Sequence, residues 1–68
     1  MSERTRERLE ELMDRAPTNV YAAARDDMER DLLTEVMKFT RNNQTQATII
    51  LGINRGTLRT KLAKYNLL

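Results

Sequence analysis

Apolar residues recur three or four positions apart through most of the chain, the period of an amphipathic helix. Leu9, Leu12, Met13 and Ala16 stand at i, i+3, i+4 and i+7 and predict a first helix from about Glu3 to Arg15. Pro17 ends it, because the residue before a proline is biased away from helical backbone. The stretch APTN (residues 16–19) is then a linker, with Thr18 or Asn19 as the next N-cap. A second helix is predicted from Val20 to Thr40, where Tyr21, Ala24, Met28, Leu32, Val36 and Phe39 form a stripe widened by Ala23, Leu33 and Met37. At 1.5 Å per residue it is about 30 Å long, too long and too apolar for one small chain to cover.

The second half reads differently. RNN (residues 41–43) breaks the long helix, and Asn43 is a suitable N-cap for a short third helix, Gln44 to Leu51, with Ala47, Ile50 and Leu51 facing inward. Gly52 supplies the residue best able to take a positive φ, Ile53 turns into the core, and Asn54 caps a fourth helix with Leu58, Leu62 and Tyr65 on its inner side. Two short helices joined by a Gly-containing turn form a helix-turn-helix. The expected fold is therefore all-α with four helices in one domain, residues 1–41 serving dimerisation and residues 42–68 forming the helix-turn-helix unit.

Length makes the pairing of chains matter. At 68 residues a domain buries only about 60% of the surface its unfolded chain exposes. With no cysteine, neither a disulfide nor a Cys-based zinc site can compensate, so association into a homodimer is the expected source of core. Histidine is also absent, which removes the usual residues of metal binding and proton transfer. No cofactor is implied. The longest apolar run is Ile49 to Leu51, far short of the ~20 residues of a membrane span, and the expected location is the cytoplasm. Asp26, Asp27, Glu29 and Asp31 crowd together in sequence, but on a helix they point to different sides, and a solvated face accounts for them better than a catalytic cluster. There is no nucleophile with a base and no Gly-rich phosphate loop, so an enzyme is not expected.

Charge adds the decisive asymmetry. Residues 1–40 carry seven basic and all ten acidic residues, a balance of −3; residues 41–68 carry Arg41, Arg55, Arg59, Lys61 and Lys64 with no acid, a balance of +5. Such a split points to a polyanion as partner. In a helix-turn-helix the second helix enters the DNA major groove with its N-terminal residues at the base edges. The fourth helix, NRGTLRTKLAKY from Asn54, leaves Arg55, Thr57 and Arg59 outward near its start, with Lys61 and Lys64 flanking. Arginine bonds guanine O6 and N7 together, and asparagine does the same for adenine N6 and N7. Gly56 leaves the backbone bare for close approach. The rival reading is a helical adaptor whose basic face meets an acidic protein.

The stretch NQTQATIILGINRGTLRTKLAKY (residues 43–65), with LLTEVMKFTRNNQT before it, resembles the Fis family, named for the factor for inversion stimulation, of bacterial nucleoid-associated proteins. The likeness is close from Leu32 to Tyr65 and extends, mostly as apolar spacing, back to Leu9. A similar domain closes enhancer-binding activators of the NtrC class. The resemblance implies a homodimer with intertwined first and second helices, and sequence-tolerant binding of double-stranded DNA with bending, because the two recognition helices sit closer than one DNA turn. Carried over by position, Asn54, Arg55 and Arg59 are base-groove residues; Asn43, Thr45, Thr57 and Lys61 match backbone-contacting positions; Arg41 reaches flanking DNA. Thr60 falls at a phosphate-facing position that is commonly basic in the family, as is that of Gln46. Asp31 stands where the family commonly has a kinking proline, which predicts a straighter helix. The chain starts where the first helix starts, and by this resemblance the mobile N-terminal arm that touches DNA invertases is missing. RNA polymerase is a further candidate partner; target sites and regulated genes are not legible.

Overall fold

The computed structural model describes residues 1–15 and 18–68, and these form α1 (Glu3–Arg15), α2 (Val20–Phe39), α3 (Gln44–Leu51) and α4 (Arg55–Lys64), with no strand among them. The expected all-α, four-helix fold is what the chain adopts. The assigned roles of Pro17 and Ala16 lie outside the described residues. Ser2 caps α1 with its hydroxyl, which accepts the Thr5 N–H at 3.1 Å. Asn19 precedes α2, but in the left-handed region (φ 61°) and without a side-chain cap, so neither Thr18 nor Asn19 plays the expected role. Helix α2 runs unbroken through Asp31 and ends one residue earlier than expected. Its end is sharp: Arg41 and Asn42 both take positive φ, and the Asn42 N–H reaches back to the Met37 carbonyl at 2.8 Å. This is a Schellman-type stop built without glycine.

The core is small and lies between the second half of α2 and the helix-turn-helix. Leu33 and Met37 of α2 meet Ala47 of α3 and Leu58 and Leu62 of α4, with Val36, Leu51, Ile53, Tyr65 and Leu67 packed around them. Ala47 and Leu58 are fully buried. The stripe on α2 therefore works in the reverse of the expected order: the residues taken as its margin, Leu33 and Met37, make the core. Tyr21, Met28, Leu32 and Phe39, taken as its centre, stay exposed, two of them above 80%. Ile50 also corrects expectation, lying 46% exposed rather than inward. On an eight-residue helix with consecutive Ile49, Ile50 and Leu51, only one narrow side meets α2 and α4, and Ala47 with Leu51 fills it.

Helix α1 lies along another side of α2 and buries none of its residues completely. Between them runs an open groove of about 590 Å³ lined by Leu9, Leu12, Ala24, Met28 and Leu32, with Arg8, Asp27 and Asp31 among its polar edges. Arg8 reaches across, its Nε 2.6 Å from Asp27 and its other guanidinium nitrogen on Asp31. The radius of gyration is 13.6 Å, with extents of 38 × 22 × 18 Å. A compact domain of this length has a radius near ~11 Å, so the chain is elongated and leaves apolar surface open.

Candidate nucleic-acid interface

Two capped helix starts define the face. Asn43 accepts the Gln46 N–H at 3.0 Å and Asn54 accepts the Thr57 N–H at 2.7 Å, both from extended backbone. Each cap satisfies one of the N–H groups that have no intrahelical partner, and the others of the first turn stay available to an anion. For Asn54 the cap commits the side-chain carbonyl and leaves its NH₂ as an outward donor. Gly52 makes the connection possible: it sits at φ 72°, where a side chain is strained, and its N–H closes on the Thr48 carbonyl at 2.8 Å. Gly56 differs. Its φ is ordinary and an added Cβ would meet Asn54 Oδ1 at 3.5 Å, an ordinary contact. Nothing inside the chain asks for glycine there, and its effect is to bare the outer backbone.

The side chains on this face divide. Asn54, Gly56, Thr57, Thr60 and Lys61 line one shallow depression at the start of α4. Arg59 bridges to α3, donating to the Gln44 side chain at 3.2 Å, which ties the fourth helix to the start of the third. Arg41, Asn43, Thr45, Arg55 and Thr60 are exposed, and neither Arg41 nor Arg55 forms an ion pair among the described residues. Thr60 turns its hydroxyl back onto the Gly56 carbonyl at 3.0 Å, so it presents only its methyl group outward.

Lys61 and Lys64 behave unlike the arginines. Lys61 Nζ lies 2.8 Å from Glu29 and Lys64 Nζ lies 3.0 Å from Asp26, both on α2. Tyr65 completes the cluster, donating its O–H to Glu29 at 2.7 Å, with Arg30 and Lys64 over its ring at 5.6 and 5.2 Å. Their placement as free flanking cations is therefore not what the geometry supports. The same observation corrects the view of the α2 carboxylates as a solvated face. Asp26 and Glu29 face α4, while Asp27 and Asp31 face Arg8 of α1. The missed signal was the spacing of Asp26, Glu29, Leu33 and Met37, which puts acid and core on one stripe of α2.

These contacts predict an acid limit to stability. The hydrogen bond from Lys64 holds Asp26 below its ordinary range, those from Lys61 and Tyr65 do so for Glu29, and Arg8 does so for Asp31. Partial burial and the bond to Glu29 push the Tyr65 phenol upward. Lowered carboxylate pKa values mean that the folded state binds fewer protons, so the stabilisation is complete above the ordinary range, about pH 4 to 4.5, and is lost as pH falls through the depressed values. Glu29, whose side chain is 16% exposed, should dominate, since the more exposed Arg8 pairs contribute little. Thermal unfolding followed by circular dichroism should give a midpoint that is flat above about pH 5 and falls below about pH 4, with a shallower fall in Glu29→Gln.

Residues 24–65, more than half of the chain, match the family described as "Bacterial regulatory protein, Fis family". The chain belongs to the Fis family. Among its relatives, the DNA-binding protein Fis of Mannheimia haemolytica is 48% identical over 59 residues, 87% of this chain and 60% of that protein. The protein of the same name from Psychromonas ingrahamii is 51% identical over 51 residues, 75% of this chain and 52% of that protein. That of Vibrio cholerae is 44% identical over 59 residues. No solved structure matches the chain. This Fis-family chain spans 60% of the length of the first curated relatives it matches. The matched region takes in the Asp26–Glu29 cluster, the whole core and the helix-turn-helix of the Fis-family unit.

Proposed function

We propose that the chain is a bacterial DNA-binding regulator that binds double-stranded DNA as a homodimer, with α4 of each protomer in the major groove. The observation that carries this is the start of α4: an Asn-capped helix with Arg55 and Arg59 exposed, no acidic residue in its first turn, and its backbone bared at Gly56. Asn54, Arg55 and Arg59 face base edges. Arg41, Asn43, Thr45, Thr57 and Thr60 lie toward the sugar–phosphate backbone, and those contacts supply register and affinity rather than sequence information. As a regulator of this family it would act on the bacterial nucleoid and bend its DNA. Gel-shift titration on random duplexes and on duplexes with an AT-rich centre, at two salt concentrations, tests the reading. Affinity that falls steeply with salt supports it; affinity indifferent to salt favours the helical adaptor.

Dimerisation rests on the exposed Tyr21, Met28, Leu32 and Phe39 beside the open α1–α2 groove. A second copy packing there would cover both. Sedimentation should show a dimer at micromolar concentration, and a monomer that stays folded would defeat the proposal.

Thr60 offers a test of groove placement. In Thr60→Lys the back-bonded hydroxyl is lost and a cation projects from an exposed helical position, at no cost in helix propensity. Neighbouring Lys61 and Lys64 are already neutralised by α2, which limits repulsion. The slope of log affinity against log salt should steepen by about 0.9 in each half-site, about 2 per dimer, with sequence preference unchanged. An unchanged slope would mean that this side of α4 faces away from the phosphates.

A further inference from the structure

The two lysines nearest the recognition surface are held by another helix. Lys61 belongs to two environments at once. Its stem lines the depression with Asn54, Gly56, Thr57 and Thr60, while its ammonium group is drawn to Glu29 on α2. One turn on, Lys64 repeats the arrangement with Asp26. Glu29 is the less exposed partner in its pair and also accepts from Tyr65, so its position is fixed from two sides. We propose that Asp26 and Glu29 are specificity-determining positioning residues: they withhold Lys61 and Lys64 from DNA phosphates and so lower the sequence-independent part of binding. This rests on the DNA reading above.

The physical consequence concerns selectivity. Phosphate contacts by lysine strengthen binding to every sequence alike, whereas arginines at base edges discriminate. Holding two lysines back leaves Arg55 and Arg59 a larger share of the interaction. The device lies wholly in α2, away from the groove.

Salt dependence counts released counterions, and so reads the number of engaged cations directly. In Glu29→Gln the amide carbonyl still accepts from Tyr65, so the packing is kept while the charge that binds Lys61 is removed; Asp26→Asn does the same for Lys64. On a random duplex and on a preferred one, the double variant should bind both more tightly at low salt. Its log–log salt slope should steepen by up to about 0.9 for each lysine freed in each half-site. The ratio of the two affinities should fall. The same substitutions made in a Lys61→Met, Lys64→Met background should leave the slope where it was. A slope that steepens equally in that background would show a general effect of lost negative charge and overturn the positioning role. So would a slope that does not change in either background. Should the carboxylate variants fail to fold, Lys61→Met alone decides: an unchanged slope supports the proposal, and a loss of about 1 per half-site sinks it. A wild-type protein showing no salt-dependent binding removes the DNA reading itself, and this inference with it.

Discussion

Leu58→Ala is expected to destabilise the chain by about 2–5 kcal/mol, the range for emptying a buried leucine site whose surroundings cannot collapse. Leu58 is fully buried and touches the core from α4, opposite Leu33 and Met37. That core has only five buried residues among those described, so no second layer exists to close the cavity. The loss is large beside the 5–15 kcal/mol typical of whole domains. It should also fall unevenly. Helices of eight and ten residues such as α3 and α4 are below the ~12–15 residues at which isolated helices become even marginal in water, so both exist because of this core. Urea unfolding of Leu58→Ala by circular dichroism should therefore show a lowered midpoint with early loss of the helical signal of α3 and α4. A midpoint shift worth under about 1 kcal/mol would mean that something other than the Leu58 contacts holds the helix-turn-helix in place.

What the sequence disclosed depended on whether one residue or a relation between helices carried the information. The caps at Asn43 and Asn54 and the positive φ of Gly52 are local, and each was legible from one residue and its neighbours. Periodicity set the helices but left open which side of α2 meets which partner. Leu32 and Leu33 are equally apolar, yet one is exposed and the other buried, because the α2–α3 turn brings α4 against the Leu33 side. The lysines show the same limit. Lys61 and Arg59 are both cations on a short basic helix, and only the fold puts Glu29 beside one and Gln44 beside the other. Arg41 was legible as a breaker but not as a residue with φ 54°, a conformation that costs a non-glycine residue energy and that the neighbouring hydrogen bonds enforce.

Arg55→Ala and Arg59→Ala should each weaken DNA binding by about 1–3 kcal/mol, or roughly 5- to 150-fold, if each makes a base contact. Being four residues apart on one helix face, their effects should not add cleanly in the double variant. The sharper test is the sign of the accompanying change in stability. Arg55 is the first residue of α4, and the first turn of that helix contains no acid. A cation there opposes the positive end of the helix dipole, at a cost of about 0.3–1 kcal/mol when exposed. Alanine also has the higher helix propensity. Arg55→Ala should thus hold or raise the thermal midpoint while it reduces affinity. Arg59 sits deeper in the helix and gives up only a surface hydrogen bond to Gln44, so Arg59→Ala should change stability little. A residue that burdens its own helix yet is needed for binding is serving the partner. Parallel thermal melts and gel shifts on both variants decide the matter: affinity that stays level on every duplex, or falls only in step with stability, would remove Arg55 from the recognition surface.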